Sequence, residues 1–234
     1  MNWVRRLFKR KPLLDSEQTL ALAAYHSHSP VPVNVPLETL RFVVADVETT
    51  GLNPFDDQLI SIGAVELLDS RILLASGFEV VFRQPQASAN ANILVHGIDG
   101  TTQMGGVDPA AASLLFLDFA KNSPLVGFHA DFDRLMIDRA FTKALGCAPS
   151  NPWLDLAFLA PAVMPEPDRR LPRGLDEWMD RFGIANLARH NALADALATA
   201  QLLQVVLAEA VKQGICTLAD LIKLEQDQRW LRHR

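Results

Sequence analysis

Three apolar, β-branched runs follow one another before any long helical pattern, and this order constrains the 234-residue chain more than any other feature. Residues 40–47 read as a buried strand, and residues 59–68 and 72–82 as two more. The short connection Asp69-Ser70-Arg71 makes the second and third a hairpin. The pattern then becomes mostly helical. Residues 109–121 predict a helix, and residues 124–128 a short strand whose end is loosened by Gly127. Phe132, Met136, Ala140, Phe141 and Leu145 mark a helix that stops at Gly146. Short helices are expected over 154–163 and 175–182. A long one is expected over about 191–212, with Leu193, Leu197, Ala200, Leu207 and Val211 on one face. A hairpin followed by strands alternating with helices predicts an α/β fold, a mixed sheet flanked by helices.

A different composition precedes this domain. Arg5, Arg6, Lys9, Arg10 and Lys11 crowd the first dozen residues without an acid, and Trp3, Val4, Leu7 and Phe8 fall at helical spacing. Either an amphipathic helix or a frayed basic end fits. Asp15 and Gln18 resemble a capping box for a helix to about residue 24. Pro30, Pro32 and Pro36 then favour an extended connector. The chain divides accordingly into an extension over 1–37, a main domain over 38–212 and a short tail over 213–234.

Composition narrows the classes. With 49% hydrophobic and 21% charged residues, the chain can bury a full core. Without a run of ~18 apolar residues, no stable membrane insertion is expected. Without a secretory signal, a cytoplasmic location is expected, and Cys147 and Cys216 read as free thiols there. A net charge of −5 argues against gripping long duplexes by charge alone. An acidic body that handles phosphate would need cations to mask its carboxylates.

Three places carry chemistry. In Asp46-Val47-Glu48-Thr49-Thr50-Gly51-Leu52, two acids two apart on a strand point to one side and repel unless a cation or proton is shared. Asp133, in Gly127-Phe128-His129-Ala130-Asp131-Phe132-Asp133, falls in the first turn of a helix, where the macrodipole alone would also favour an acid. In Arg189-His190-Asn191-Ala192-Leu193-Ala194-Asp195, five residues sweep about 500° of helix, so His190 and Asp195 cannot share a face. They can converge if His190 precedes the helix, Asn191 caps it, and Asp195 sits on its second turn.

The order Asp-x-Glu-Thr-Thr-Gly, Phe-Asp, His-x-x-x-x-Asp resembles the motifs of the DnaQ-like (DEDDh) 3′–5′ exonucleases, the superfamily of the epsilon proofreading subunits of bacterial DNA polymerase III. The resemblance covers roughly residues 40–212. It implies a ribonuclease H-like fold, with Asp46, Glu48, Asp133 and Asp195 holding two divalent cations, Mg²⁺ or Mn²⁺, and His190 as general base. It further implies nucleic-acid 3′ ends as substrate, single-stranded DNA or RNA, with nucleoside 5′-monophosphates as products. By the same resemblance, Thr49, Gly51, Leu52, His96 and His129 would meet the terminal nucleotide. Two departures stand out. Many members carry Asn in place of His129, and the long N-terminal extension with a short tail differs from epsilon subunits, favouring a free-standing enzyme. A polymerase-bound proofreading subunit and a catalytically silent nucleic-acid-binding scaffold are the alternatives, and a homo-oligomer remains open. Because every motif follows the connector, removal of residues 1–36 is expected to leave the domain active.

Overall fold

The structure is a computed structural model and describes residues 12–164, 174–186 and 188–232. The amphipathic reading of residues 1–11 lies outside the described residues.

The first apolar run forms β1 (Phe42–Thr49) and the second β2 (Leu59–Leu68). They pair antiparallel, with Val44 opposite Val65 and Asp46 opposite Gly63. On its other edge β1 pairs parallel with β5 (Leu125–Gly127), which pairs parallel with β6 (Trp153–Asp155). The outer edge of β2 carries β3 (Arg71–Ile72) and β4 (Phe78–Val81). The expected mixed sheet is therefore present.

Helices cover both faces: α1 (Ser16–His26), α2 (Asn90–His96), α3 (Gly100–Met104), α4 (Pro109–Ala120), α5 (Asp131–Leu145), α6 (Leu156–Val163), α7 (Leu175–Phe182), α8 (Ala192–Lys212) and α9 (Leu218–Arg232). Strand parity sorts the core. Val43, Ala45 and Val47 join Phe116 and Phe141 of α4 and α5 in one layer. Phe42 and Val44 join Leu203, Val206 and Leu207 of α8 in the other. Asp46 and Glu48 continue the Phe42–Val44 parity, so the two acids face the α8 side. At 21 residues, α8 is long and apolar enough to cross a bilayer, but it is the core helix here, laid across β1 and β2. Each fully buried Leu or Val contributes about 1.5–3 kcal/mol relative to exposure. That is ample to hold down a helix carrying one buried acid.

Several boundaries differ from the sequence expectation. The first strand runs over 42–49 rather than 40–47, because β2 pairs with its polar end as far as Thr49. The expected strand over 72–82 is broken. β3 pairs with Leu67 and Leu68, β4 pairs with 61–64, and the chain between them leaves the ladder in a 3-10 turn at Leu74–Ser76. Apolar Leu73, Leu74 and Ala75 hid the break. The helix expected over 154–163 begins only at Leu156. Trp153 to Asp155 complete the sheet as β6, and Asp155 caps the helix by accepting from the Ala157 N–H at 2.9 Å.

Helices α2 and α3 occupy what read as loop. The segment read as a tail is α9, packed on α6 through Leu218 and Leu221. Its start carries a missed signal: Thr217 and Asp220 exchange backbone N–H bonds at 2.9 and 3.2 Å, a reciprocal cap.

The capping box at Asp15 and Gln18 is present. The chain that follows is packed on the domain. Tyr25 of α1 is buried, and its hydroxyl donates to Asn151 Oδ1 at 2.7 Å and accepts from the Ser150 N–H at 2.9 Å. Beyond the prolines, the Leu37 N–H reaches the Cys216 carbonyl and the Ala219 N–H the Val33 carbonyl, each at 2.9 Å.

Candidate active site

Three elements deliver the four acids. Asp46 and Glu48 project from β1, Asp133 from the first turn of α5, and Asp195 from the first turn of α8 rather than the expected second, because the helix begins directly after Asn191. Oxygens of Asp46, Glu48 and Asp195 all lie within 4.8 Å of one another. Asp133 is buried beside this group, and its charge acts on Asp46.

The approach of α8 depends on a residue the sequence reading passed over. Gly63 sits opposite Asp46 on β2, and the backbone of Ala192 and Leu193 rests where a side chain would be. An isolated glycine inside a strand is a signal of close backbone approach, and that signal was legible.

The turn into α8 brings its residues together as the spacing requires. Asn191 caps the helix by accepting from the Ala194 N–H at 3.0 Å. His190 precedes it in a left-handed conformation with φ 62°, and its backbone N–H donates to Asp195 Oδ2 at 3.1 Å. Its ring is exposed. The other oxygen of Asp195 is held by Arg189 Nη1 at 2.5 Å and by the Asn186 side-chain amide. Arg189 also grips Asp176 of α7 through Nε at 2.7 Å. Neither Arg189 nor Asn186 was singled out from the sequence, although Arg189 adjoins the histidine of the motif.

The electrostatics are those of excess negative charge in a desolvated place. Desolvation, then the charges of Asp133, Asp195 and Glu48, push the Asp46 carboxyl well above the usual range. Glu48 is pushed up to about 8 by desolvation and then by Asp195. Asp133 is pushed up to about 8, chiefly by burial. Arg189 opposes the shift at Asp46 and Glu48. Acids so placed either keep protons or gather cations. An all-oxygen set of this size suits a hard divalent ion such as Mg²⁺ or Mn²⁺.

Around the acids lie the remaining expected residues. Thr49 Oγ1 donates to the Gly51 carbonyl at 2.6 Å, closing the turn that leaves Leu52 88% exposed. Asn92 of α2 donates to the Thr50 carbonyl, docking that helix on the turn. One turn along α2, His96 is buried. Its Nδ1 accepts from the Ile98 N–H at 3.0 Å, so Nε2 carries the proton, and this Nε2 has no partner among the described residues. Burial pushes the imidazole pKa down, keeping it neutral. His129, exposed and left-handed at φ 61°, gives its backbone N–H to Asp155 at 2.9 Å.

Comparison with known proteins bears on this geometry. The family described as Exonuclease, of the RNase T type, matches residues 43–203, a span holding all four acids and His190. A DNA polymerase III subunit epsilon-like protein of Rhodobacter capsulatus is 32% identical over 192 residues, covering 80% of this chain and 26% of that protein. A PolC-type DNA polymerase III of Thermotoga petrophila is 29% identical over 190 residues, 80% of this chain and 13% of that one. The chain thus spans about a quarter or less of these relatives. Exonuclease I of E. coli, solved with a dT13 oligonucleotide, superposes with a TM-score of 0.61 at 17% identity, over 75% of this chain and 42% of that one. At that identity the likeness is one of fold.

Proposed function

Because the chain belongs to the RNase T-type exonuclease family, we propose that it removes nucleotides one at a time from the 3′ end of single-stranded DNA or RNA, releasing nucleoside 5′-monophosphates. One observation carries this reading: carboxylate oxygens from β1 and α8 gather within 4.8 Å, with Asp133 buried beside them.

In this reading Asp46, Glu48, Asp133 and Asp195 hold two Mg²⁺ or Mn²⁺ ions. Divalent cations there would supply the positive charge that offsets the charge gathering on the phosphate during displacement. His190 takes the proton from the attacking water. Its exposed ring can reach a substrate, and its backbone is tethered to Asp195, which fixes where the ring starts. The Thr49–Gly51 turn and Leu52 form a rim for the terminal nucleotide. The orphaned Nε2–H of His96 is a donor waiting for a substrate oxygen or base, because a buried donor without a partner is otherwise costly. The exposed His129 also meets the terminal nucleotide in this reading.

The test is degradation of 5′-labelled single-stranded DNA and matched RNA with Mg²⁺, with Mn²⁺, and with EDTA. A metal-dependent ladder shortening from the 3′ end supports the proposal, and the faster substrate names the class. No shortening with either metal overturns it and leaves a silent scaffold or a unit that works only with a polymerase partner.

A second reading, a proofreading unit attached to a polymerase, is favoured by the relatives being named as DNA polymerase III proteins. Co-purification with a replicative polymerase would support it.

A further inference from the structure

Helix α9 lies outside the span matched by the exonuclease family, yet it reaches the turn that presents Asp133. Arg229 Nη1 binds Asp131 Oδ2 at 2.6 Å, in the first turn of α5, two residues before Asp133. Its Nε binds Glu225 Oε1 at 2.8 Å, and Nη2 reaches Asp155 Oδ2 at 3.5 Å. Asp155 in turn accepts the His129 N–H through Oδ1, and its own N–H donates to Glu225 Oε2 at 3.1 Å. Asp155 and Glu225 are both buried. The guanidinium also lies over the Phe158 ring of α6, 4.3 Å from its centroid.

The network closes on the segment 127–133 from both sides. At one end Gly127 packs so tightly that a Cβ would lie 3.1 Å from Ala130 Cβ. His129 then takes a left-handed conformation that a non-glycine residue adopts only when its surroundings hold it there. The holding group is Asp155, and the cation beside Asp155 is Arg229. At the other end Arg229 grips Asp131 directly.

We infer that Arg229, on α9, is a positioning residue for the metal-binding centre: through Asp155 and Asp131 it fixes the β5–α5 turn, and so the place of Asp133. The inference rests on the exonuclease reading for what Asp133 does, and on geometry alone for what holds it. A planar fork that meets three carboxylates suits arginine, and lysine cannot reproduce it.

The test uses the full chain with Arg229→Met, Arg229→Lys and Asp131→Asn. Mn²⁺ affinity is measured by calorimetry, with hydrogen exchange of the 128–133 amides and kcat and KM on single-stranded DNA. Arg229→Met is expected to weaken Mn²⁺ binding and lower kcat by on the order of tenfold, the usual effect of removing a group that orients a metal ligand. KM should change little, and exchange at 128–133 should rise. Arg229→Lys should recover part of each loss. Asp131→Asn, an exposed substitution that leaves the buried acids paired, should shift every readout the same way, by less.

If Arg229→Met does not fold, Asp131→Asn decides alone. A lower melting temperature with unchanged Mn²⁺ affinity, kcat and 128–133 exchange would overturn the inference, leaving Arg229 as a docking residue for α9. Wild-type protein that binds Mn²⁺ but cleaves neither DNA nor RNA would overturn the exonuclease reading instead. The Mn²⁺ and exchange comparisons would still decide the role of Arg229.

Discussion

Gly63 and Leu193 meet backbone to backbone: a Cβ built on Gly63 would lie 2.1 Å from the Leu193 amide nitrogen. Gly63 is the rung opposite Asp46, so this contact sets the height of the α8 N-terminus above the strand that carries two of the acids. Two residues further along α8, Asp195 arrives within reach of Asp46 and Glu48.

Gly63→Ala is therefore expected to push α8 off the sheet. Overpacking of this kind costs about 1–3 kcal/mol, and here the obstructing atoms are backbone, which cannot rotate aside. Denaturant unfolding should show that loss, and Mn²⁺ binding should weaken with it. Full stability together with full metal affinity would refute the contact.

Arg189 competes with any cation for Asp195. Its Nη1 already sits 2.5 Å from Oδ1, and a metal must share or replace it. Arg189→Met should tighten Mn²⁺ binding by roughly two- to fivefold, a modest gain because the arginine is partly exposed and screened. The same variant should be less stable without metal at pH 8, where its charge no longer offsets the acids. Calorimetry showing unchanged or weaker Mn²⁺ binding would count against this competition.

The raised pKa values give a signed pH dependence. Below about pH 4, Glu48 and Asp133 are protonated in both folded and unfolded chains. Between there and about 8 the unfolded chain has released those protons while the folded protein keeps them, so stability falls as pH rises. Metal held at the proposed site would reverse the trend by replacing protons. Mg²⁺ should raise the melting temperature more at pH 8.5 than at pH 5.5, and calorimetry in buffers of different ionisation enthalpy should detect proton release. A melting temperature without metal that stays flat from pH 5 to 8 would contradict this picture.

Asp133→Asn separates fold from chemistry. Its side chain is nearly isosteric and removes one buried acid. The variant should fold, lose part of the pH-dependent destabilisation, and fail to cleave 5′-labelled DNA under conditions where the wild type does. Retained cleavage would remove Asp133 from the proposed metal set.

The N-terminal segment should behave as part of the domain. Tyr25→Phe removes a buried hydroxyl that satisfies Asn151 and Ser150, and should cost about 1–2 kcal/mol. Deletion of residues 1–36 takes away α1 and the Val33 contact to α9, and should lower stability sharply. Unaltered melting of that truncation would restore the reading of this segment as a free connector.

What the sequence by itself determined lies within a few residues of chain. Alternation in β1 put Asp46 and Glu48 on one side, and the cap at Asn191 set His190 before α8 and Asp195 inside it. The first turn of α5 received Asp133 as the pattern required. Such features follow from strand period, helix period and capping, which act over two to five residues. The break between β3 and β4, the three-residue β6 and the docking of α9 depended on which partner each segment met. Apolar residues serve a strand, a turn and a buried helix equally well. Only the tertiary structure brought Arg189 to Asp195, laid Leu193 on Gly63, and joined Arg229 to acids from three separate elements. The contacts of Leu193 with Gly63 and of Arg229 with Asp131 and Asp155 span many residues of chain, and which segments meet there is fixed by how helices pack on a twisted sheet, which no local pattern records.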